Sequence, residues 1–389
     1  MASSILQVCL DDSPNLGGLT RGIRDIRAAL GGRIVSIDSG RLPPSRDDSG
    51  AALTRIAAGR GVLRSRLLRL SPSVIAQLAQ AVSVANLVIC HSLYRAHLPI
   101  IRSLCSERGI PYWVVTHGML DPWVLARQAI AKRLWLSLQG RQGLRDAARV
   151  IFATQAEKDK ATEVYAAGNC IVVPWPVTVP VIAGRAAARS IFRDRLGIPA
   201  NGRILLWLGR YDELKRPVEI VQIFSRIAPQ GWHLVMAGYE GNIGRRRVAK
   251  EATNVEEGRV AVLGALEGSD KEQAFLAADA FVSLSWRESF GYSLAEAMAY
   301  GLPSFVTPGH DLIDQDRSIG SVDRAASHFI PDLESGLLAF LSRDPAAMAV
   351  AGAAARARII STCDRQVFED RMQSLVVETV GRNAPLKGL

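Results

Sequence analysis

The sequence has no feature that would place it in a membrane-spanning or secreted class. It contains no uninterrupted run of eighteen apolar residues, and the best candidate, residues 75–90, is broken by four polar side chains. A transmembrane helix needs about 20 mostly apolar residues, so none is predicted. The first ten residues also lack the basic segment that begins a secretory signal. These absences predict a cytoplasmic protein.

Cysteines are few and scattered along the chain. There are five of them, an odd number, and no two are spaced as Cys-x-x-Cys. Disulfide frameworks and zinc sites usually show even numbers or short fixed spacings. The sequence therefore predicts reduced thiols that pack as small hydrophobic side chains.

Length and composition describe a globular enzyme of two domains. With 389 residues the chain exceeds the size at which one hydrophobic core usually stops growing. Hydrophobic residues make up 48% and charged residues 22%, which excludes a disordered chain. The net charge of +10, from 47 basic and 37 acidic residues, favours phosphate-rich partners such as nucleotides, anionic lipid surfaces or nucleic acid.

Positive charge is concentrated in residues 127–149, which hold six Lys or Arg and one acid. Ile130, Leu134 and Leu138 follow at four-residue spacing, and this pattern predicts a basic amphipathic helix. Two interpretations stay open. Either the helix rests on the core with its basic side chains in water, or it attaches the protein to a membrane, where each basic residue adds about 1 kcal/mol near anionic lipid.

Short buried strands alternate with helical patterns along the whole chain, which predicts parallel, doubly wound α/β sheets. The predicted strands are 5–10, 33–37, 87–90, 112–116 and 150–153, then 204–208, 233–237, 260–263, 280–284 and 304–307. Residues 173–180 contain three prolines, which suit neither a helix nor a central strand. We interpret them as a linker between domains at 1–177 and 178–364. Ligands of such sheets bind at the carboxyl ends of the strands, so a cleft between two facing domains is expected.

The segment from Trp286 to Pro303 follows a predicted strand and opens a helix. Glu288 is expected in the turn, with the amides of Phe290, Gly291 and Tyr292 at the helix N-terminus, where they suit an anion or a sugar hydroxyl. Glu296 comes eight residues after Glu288. Its alternative role is that of a helix cap, because Ser293-Leu-Ala-Glu296 matches the capping-box pattern.

Two cations follow another predicted strand end, Arg210 in Leu-Gly-Arg and Lys215 five residues later. Such a pair can clamp a diphosphate, although either one alone would suit an ordinary surface loop. Gly17 and Gly18 lie between the first strand and the first helix. Paired glycines let a backbone approach a phosphate closely, or simply form a tight turn.

His117 and His91 each follow or end a predicted strand of the first domain. For His117 a structural role and a catalytic role are both open. His91 is a weaker candidate, either for contact with an acceptor or for simple packing.

The Glu-x7-Glu spacing with its Phe-Gly and trailing Ala-Met-Ala-x-Gly-Leu-Pro resembles the signature of glycosyltransferase family 4, whose fold is GT-B. The sequence His117-Gly-Met-Leu-Asp-Pro-Trp is also similar to a form found in bacterial members. The resemblance spans nearly the whole chain. It implies two facing Rossmann-like domains, with residues 365–389 forming a last helix that crosses back to the first domain.

What the resemblance implies for the site follows residue by residue. Arg210, Lys215 and the amides of Gly17 and Gly18 would hold the donor's diphosphate, and no metal or other cofactor would be needed. Glu288 would hold hydroxyls of the transferred sugar and Glu296 those of the ribose. His117 would lie near the reacting carbon. The Asp314-Gln-Asp316 sequence is interpreted as a polar loop and not as a metal motif.

The expected function is retaining transfer of a hexosyl group from a UDP- or GDP-sugar to a glycan or polyprenyl-diphosphate-linked saccharide. Lipopolysaccharide or exopolysaccharide biosynthesis at the inner face of the cell membrane is the expected pathway, with peripheral attachment to an anionic surface. Two departures from the family, Pro174-Trp-Pro-Val177 at the linker and Arg216-Pro217 after the lysine, leave acceptor and domain-closure details open.

Two other classes remain as alternatives. A sugar-nucleotide epimerase of the same fold would release an altered donor without an acceptor and would not need the Glu-x7-Glu pattern. A non-catalytic basic binding protein would rest on charge alone. No nucleic-acid partner is expected, because the chain lacks the interleaved aromatic and basic surface of RNA modules.

Overall fold

A computed structural model describes residues 4–13, 17–37, 53–56, 70–256, 258–314 and 321–382. The chain divides into two compact units: an N-terminal unit of Met1–Trp175 with Gln366–Leu389, and a C-terminal unit of Pro176–Arg365. The division after Trp175 lies two residues before the boundary expected from the prolines. Residues 173–184 form neither helix nor strand.

The N-terminal unit contains a sheet of seven parallel strands, as far as the chain is described, in the order β3-β2-β1-β4-β5-β6-β7. β1, β4 and β5 are buried along their whole length, as expected for strands covered by helices on both faces. The strands are β1 Ile5–Cys9, β2 Arg33–Ser36, β3 Leu53–Arg55, β4 Leu87–His91, β5 Tyr112–Val115, β6 Arg149–Phe152 and β7 Cys170–Val172.

Several helices of this unit begin at residues with capping side chains, and one ends at a glycine. Ser71, Asp121 and Thr154 each cap a helix by accepting a hydrogen bond from a backbone amide, and Gly109 ends another in the left-handed conformation. The helices are Gly18–Leu30, Pro72–Ser83, His97–Arg108, Pro122–Ala126, Ala129–Trp135, Arg141–Arg145 and Gln155–Thr162, with a π-turn at Leu136–Gly140. The last helix of the chain, Arg365–Arg382, belongs to this unit from its second residue onward.

The last helix belongs to the N-terminal unit through specific contacts. Trp113 donates its indole N–H to Thr379 at 3.1 Å, and Gln373 donates to the carbonyl of Ala29 at 3.3 Å. An ion pair of 3.3 Å joins Arg149 to Glu378. The chain thus returns to the first sheet after completing the second.

The C-terminal unit contains six parallel strands among the described residues, in the order β10-β9-β8-β11-β12-β13. They are β8 Arg203–Leu208, β9 Trp232–Ala237, β10 Val260–Leu263, β11 Ala280–Ser283, β12 Ser304–Val306 and β13 Val322–Arg324. The helices are Arg185–Leu196, Pro217–Ile227, Arg245–Ala252, Gly268–Ala277, Tyr292–Ala299, Asp311–Asp314, Ile330–Leu341 and Pro345–Thr362, with a 3₁₀ turn at Glu213–Lys215.

The predicted basic helix at 127–149 is corrected in two respects. It is a helical run from Ala129 to Arg145 that includes the π-turn, and Arg149 belongs to β6 instead. The side chains packed against the core are Trp135, Leu136 and Leu144, not those of the predicted apolar stripe. Ile130, Leu134 and Leu138 are 86%, 56% and 66% exposed.

By length and apolar content, no individual helix in the described ranges could cross a membrane. One bent pair, Ile330–Leu341 with Pro345–Gly381, passes the same test with an angle of 104° between its two parts.

Candidate active site

In the C-terminal unit the candidate residues follow the ends of three neighbouring strands. Arg210 comes after β8, Glu288 after β11 and His310 after β12. These strands lie side by side in the order β8-β11-β12, and parallel strands end at the same edge of a sheet. The strand ends therefore gather charged and polar groups that are far apart in sequence.

Glu288 is fixed by both its backbone and its carboxylate. Its amide donates to the carbonyl of Gly309 at 2.8 Å, and its own carbonyl accepts from the amide of Asp311 at 2.9 Å. The carboxylate forms an ion pair with the ammonium of Lys215 and accepts a 2.9 Å hydrogen bond from the hydroxyl of Ser285. Two of the predicted site residues, Glu288 and Lys215, thus lie in direct contact.

The carboxylate of Glu288 is ionised at neutral pH. Burial alone would raise its pKa, but the Lys215 ammonium, His310 and the hydrogen bonds from Lys215 and Ser285 outweigh that effect. The pKa is held below its ordinary value of 4.5. A half-buried anion that accepts hydrogen bonds can hold a sugar hydroxyl, which is a hydrogen-bond donor.

Arg216, which follows Lys215, has a left-handed backbone with φ of 54°. A non-glycine residue pays roughly 1 kcal/mol for this conformation. Its side chain is nearly fully buried, and the guanidinium lies 4.3 Å from the ring centre of Trp286, a cation–π contact that offsets the strain. The arginine that departs from the family pattern is therefore held by an aromatic partner of its own.

Arg210 forms an ion pair with Asp212, with 2.5 Å between Nε and the carboxylate, and its side chain is 37% exposed. Gly238, at the end of β9, lets the neighbouring strand ends approach closely, because a Cβ there would clash with the carbonyl of Gly209. Arg210 thus projects from a backbone segment with little freedom to move.

The capping interpretation of Glu296 is wrong. The helix Tyr292–Ala299 begins after Gly291, which has a φ of 78°, and Ser293 lies inside the helix where it cannot be the cap. Glu296 forms an ion pair of 2.7 Å with Lys271. Gly291 needs its left-handed conformation to turn the chain into this helix, and a side chain there would be strained by the backbone although it would meet Glu288 only at ordinary contact distance.

Phe290 and Tyr292 flank this glycine and contact each other edge to face, with 5.0 Å between ring centres. Phe290 is buried. The segment is therefore anchored by an aromatic side chain, while its backbone amides lie at the start of a helix.

In the N-terminal unit, Gly17 and Gly18 lie at the start of the helix Gly18–Leu30. Gly17 has a φ of 61°, and its carbonyl accepts from the amide of Arg21 at 3.1 Å. Residues 14–16, which precede these two glycines, lie outside the described part of the chain.

His117 lies in the loop after β5 with a φ of 49°, a strained conformation for a histidine. The buried carboxylate of Glu157 holds this loop. It accepts from the hydroxyl of Thr116 at 2.8 Å, from the amide of Gly118 at 2.6 Å and from the amide of Ala153 at 2.8 Å. Backbone strain that is held by such a network is often found at functional sites.

His91 and His117, both predicted from strand ends, are hydrogen-bonded. His91 Nδ1 lies 3.0 Å from His117 Nε2, and His91 Nε2 lies 2.9 Å from the amide oxygen of Gln7. Since the Gln7 oxygen accepts, His91 Nε2 donates, His91 Nδ1 accepts and His117 Nε2 donates. Nδ1 of neutral His117 is then a hydrogen-bond acceptor.

Both histidines are neutral at neutral pH. Burial, with smaller effects of His117 and His97, lowers the pKa of His91 well below its ordinary value. Burial lowers the pKa of His117 to about 4. His91 is fully buried, which favours packing over contact with an acceptor. The His117 ring also stacks on Trp175, with 5.8 Å between ring centres.

Sequence reasoning did not identify the partners of these residues. Ser285 and His310 follow strand ends and could have been found by the same rule as Glu288. Gln7 is a polar residue in the middle of an apolar strand, which was also a signal. Lys271 carries no pattern in the sequence that indicates its pairing with Glu296.

The described residues contain no group of three or more His, Cys, Asp or Glu side chains arranged to hold a metal ion. The two acidic side chains of the Asp314-Gln-Asp316 sequence, interpreted as a polar loop, lie outside the described part of the chain. The five cysteines are free, four of them buried.

Two protein-family models match the chain, one in each unit. Residues 17–176 match the glycosyl transferase 4-like domain, and residues 188–314 match glycosyl transferases group 1.

Curated relatives of the chain are named as glycosyltransferases. The chain is 28% identical over 276 residues to GDP-mannose:cellobiosyl-diphosphopolyprenol alpha-mannosyltransferase of Xanthomonas oryzae, covering 69% of this chain and 66% of that protein, slightly under two thirds. It is 26% identical over 319 residues to the enzyme of the same name from Xanthomonas campestris, covering 77% of each. A D-inositol 3-phosphate glycosyltransferase from Xylanimonas cellulosilytica is 31% identical over 40% of this chain and 39% of its own length.

Solved structures share the fold. HepE of Anabaena, crystallised with UDP and glucose, matches with a TM-score of 0.76 and 15% identity over 97% of this chain and 100% of that one. Sucrose-phosphate synthase from Thermosynechococcus elongatus matches with a TM-score of 0.76 and 18% identity over the same shares. At these identities the likeness concerns the fold alone.

Proposed function

The chain belongs to the glycosyltransferases of family 4, which have the GT-B fold, and on that premise we propose that it transfers a hexosyl group from a UDP- or GDP-sugar to a saccharide acceptor. The observation that carries the proposal is the contact between Glu288 and Lys215 at the strand ends of the C-terminal unit. It brings an anion for sugar hydroxyls next to a cation for phosphate.

On the donor side, Lys215 and Arg210 bind the diphosphate and Glu288 accepts hydrogen bonds from the sugar. Each cation already has a carboxylate partner in the absence of donor, so binding is an exchange of partners. Glu296, in the helix Tyr292–Ala299, accepts hydrogen bonds from the ribose hydroxyls. The two Xanthomonas relatives are named for GDP-mannose, which makes it the first donor to test.

The chemical step follows from the charges that develop in it. The bond between the anomeric carbon and the diphosphate oxygen breaks, and the acceptor oxygen forms a new bond to that carbon on the same face. The acceptor proton passes to the departing phosphate, so configuration is retained. Lys215, Arg210 and the amides of Gly17 and Gly18 stabilise the charge on the diphosphate, the kind of term that is usually largest in catalysis. No metal is needed in this scheme.

On the acceptor side, neutral His117 accepts a hydrogen bond at Nδ1 from a hydroxyl of donor or acceptor. The named acceptor of the Xanthomonas relatives is a saccharide on diphosphopolyprenol. We extend this to a lipid-linked saccharide for this chain, in cell-surface polysaccharide biosynthesis. Such an acceptor lies at a membrane surface, and peripheral attachment there is part of the proposal.

The experiment has two stages. A thermal-shift screen of UDP, GDP and their hexose conjugates identifies the donor, since a ligand at 100 times its dissociation constant stabilises the fold by about 2.7 kcal/mol. Transfer is then measured by mass spectrometry with that donor, polyprenyl-diphosphate disaccharides and, as a water-soluble acceptor, short-chain analogues. Lys215→Met and Glu288→Gln, which keep side-chain size, should each lower turnover by at least about 100-fold.

The control is Lys250→Met, a lysine-to-methionine change on the helix Arg245–Ala252, which should leave transfer unchanged. Full activity in both site variants would contradict the assignment of Glu288 and Lys215. Release of an isomerised sugar nucleotide in the absence of acceptor would identify an epimerase instead.

A further inference from the structure

The helical run Ala129–Arg145 carries apolar side chains on the face turned away from the protein. Ile130, Leu134 and Leu138, which we call the apolar ridge, are 86%, 56% and 66% exposed. They succeed one another at four-residue intervals, and backbone angles remain helical through Trp135, Leu136 and Gly140. The ridge is therefore a continuous line along one face.

The opposite face already supplies the packing that holds this helix to the unit. Trp135 is buried and contacts Tyr94 edge to face, with 5.3 Å between ring centres. Gly140 leaves room for that indole, and a Cβ at Gly143 would come within 3.1 Å of Leu98. The helix thus has two apolar faces, and the ridge is not needed for folding of the unit.

Arginines surround the ridge. Arg127, Arg133, Arg141 and Arg145, the arginine border, are all exposed. The one acid of the segment, Asp146, pairs with Arg102 at 2.5 Å. Lys132 turns inward and donates to the carbonyl of Val124, so it does not contribute to this surface. An apolar line bordered by four cations is the pattern of a helix that lies in the interface of an anionic bilayer.

We propose that the apolar ridge and the arginine border form a docking surface for an anionic lipid bilayer. The ridge enters the boundary between headgroups and acyl chains, and the border contacts lipid phosphates. Charge complementarity favours lipid over a protein partner. Three side chains on one helix are also few beside the roughly 20–30 residues that each side of a stable protein interface contributes. The inference deepens the peripheral attachment that is part of the proposed function, and it rests on that function in that a lipid-linked acceptor makes such docking useful.

The test is co-sedimentation of the full chain with vesicles of phosphatidylcholine, with and without phosphatidylglycerol. The wild type should bind the anionic vesicles and be released by salt, because exposed charges are screened. The ridge variant Ile130→Ser/Leu134→Ser/Leu138→Ser should lower the partition coefficient by more than about tenfold. The border variant Arg133→Gln/Arg141→Gln/Arg145→Gln should abolish the preference for anionic vesicles.

A matched control replaces three other exposed apolar side chains on helices, Val350→Ser/Ile360→Ser/Val377→Ser, and should bind vesicles like the wild type. Undiminished binding by the ridge variant, or no binding of anionic vesicles by the wild type, would overturn the proposal. So would a wild-type dimer that the ridge substitutions convert to a monomer without any vesicle binding.

Two further measurements separate this proposal from the proposed function. Thermal shifts with donor nucleotides and transfer to the water-soluble acceptor should be the same in the ridge variant and the wild type. Vesicle binding without any donor response would retain the docking surface and reject glycosyl transfer. A donor response without vesicle binding would retain glycosyl transfer and reject the docking surface together with peripheral attachment.

Discussion

At the strand ends of the C-terminal unit Lys215 holds the carboxylate of Glu288, whereas in the N-terminal unit His91 and His117 hold each other without charge. The pKa of Glu288 is lowered because Lys215 and His310 outweigh its burial. The pKa of His117 is lowered because burial acts unopposed. Similar burial therefore leaves a charged pair in one unit and a neutral pair in the other.

This difference in charge determines which ligand groups each pair of side chains can bind. A paired cation and anion exchange partners with a ligand that carries both phosphate and hydroxyl groups, as a sugar nucleotide does. A neutral histidine pair orients a hydroxyl but does not attract a phosphate. Under the proposed function, the charged pair would hold the donor and the histidine pair would orient the reacting hydroxyl.

The largest expected effect comes from breaking the charged pair. Lys215→Ala leaves the carboxylate of Glu288 half-buried without its cation, and breaking a buried pair costs about 3–5 kcal/mol. Lys215 remains 21% exposed, so solvent screening reduces the expected loss to about 2–3 kcal/mol. Urea unfolding of the C-terminal unit would measure it. Adding Glu288→Gln should restore most of the loss, and a double variant no more stable than the single one would contradict the pairing.

The next effect comes from opening the neutral pair. Gln7→Leu removes the acceptor of a fully buried imidazole N–H, at a cost of about 1–3 kcal/mol. Gln77→Leu makes the same change on an exposed helix face and should alter the unfolding free energy by less than about 0.5 kcal/mol. Equal effects of the two variants would show that His91 does not depend on Gln7.

Acidification should weaken the N-terminal unit first. The pKa values of His97 and His117 are lowered by burial from 6.5 to about 4, so only the unfolded state takes up protons as pH falls below 6.5. Stability from these groups is complete above pH 6.5 and is lost between pH 6.5 and about 4, at up to about 2 kcal/mol for each by pH 5. Glu288 contributes stability above its ordinary pKa of 4.5 that is lost only below that value.

Hydrogen exchange, corrected for its intrinsic pH dependence, can follow the units separately at pH 7 and pH 5. Amides of β4 should lose protection while those of β8 keep theirs. His97→Gln retains a donor for the carbonyl of His91 and should reduce the loss in β4. Parallel losses in both strands would refute the contrast between the units.

The smallest effect concerns the residue beside the charged pair. Arg216→Gly relieves the left-handed backbone but removes the stack on Trp286. It also removes the 3.8 Å ion pair with Glu219 and the 3.4 Å hydrogen bond to the carbonyl of His328. The relief is on the order of 1 kcal/mol and the lost contacts somewhat exceed it, so stability should fall by about 1 kcal/mol. Arg216→Ala keeps the strain and loses the stack, and chemical unfolding should rank it below the glycine variant.

Sequence patterns predicted the central strands of both sheets because each is a short apolar run bounded by turn residues. β3, β7 and β13 were not predicted, since three residues at a sheet edge show no periodicity. The basic helix shows a different limit of sequence patterns, which concerns the face that packs against the core. Spacing alone identified an apolar stripe, but only packing shows that Trp135 faces the core and Leu134 faces outward.

Candidate residues were predictable where a motif or a strand end marks them, as with Glu288 and His117. Their partners come from distant positions that only the sheet order brings together, such as Lys271 for Glu296 and Gln7 for His91. The capping pattern at Ser293 failed for a related reason. The helix starts two residues earlier than the pattern implies, after the left-handed Gly291. The local sequence does not determine that conformation.

Glu157 has a consequence for how the N-terminal unit assembles. Its carboxylate reaches the loop of His117 from a helix some forty positions further along the chain, and it also ties down the end of β6. We therefore expect the histidine loop to reach its final shape only after β6 and the helix Gln155–Thr162 have joined the sheet, because Glu157 is not in place before then.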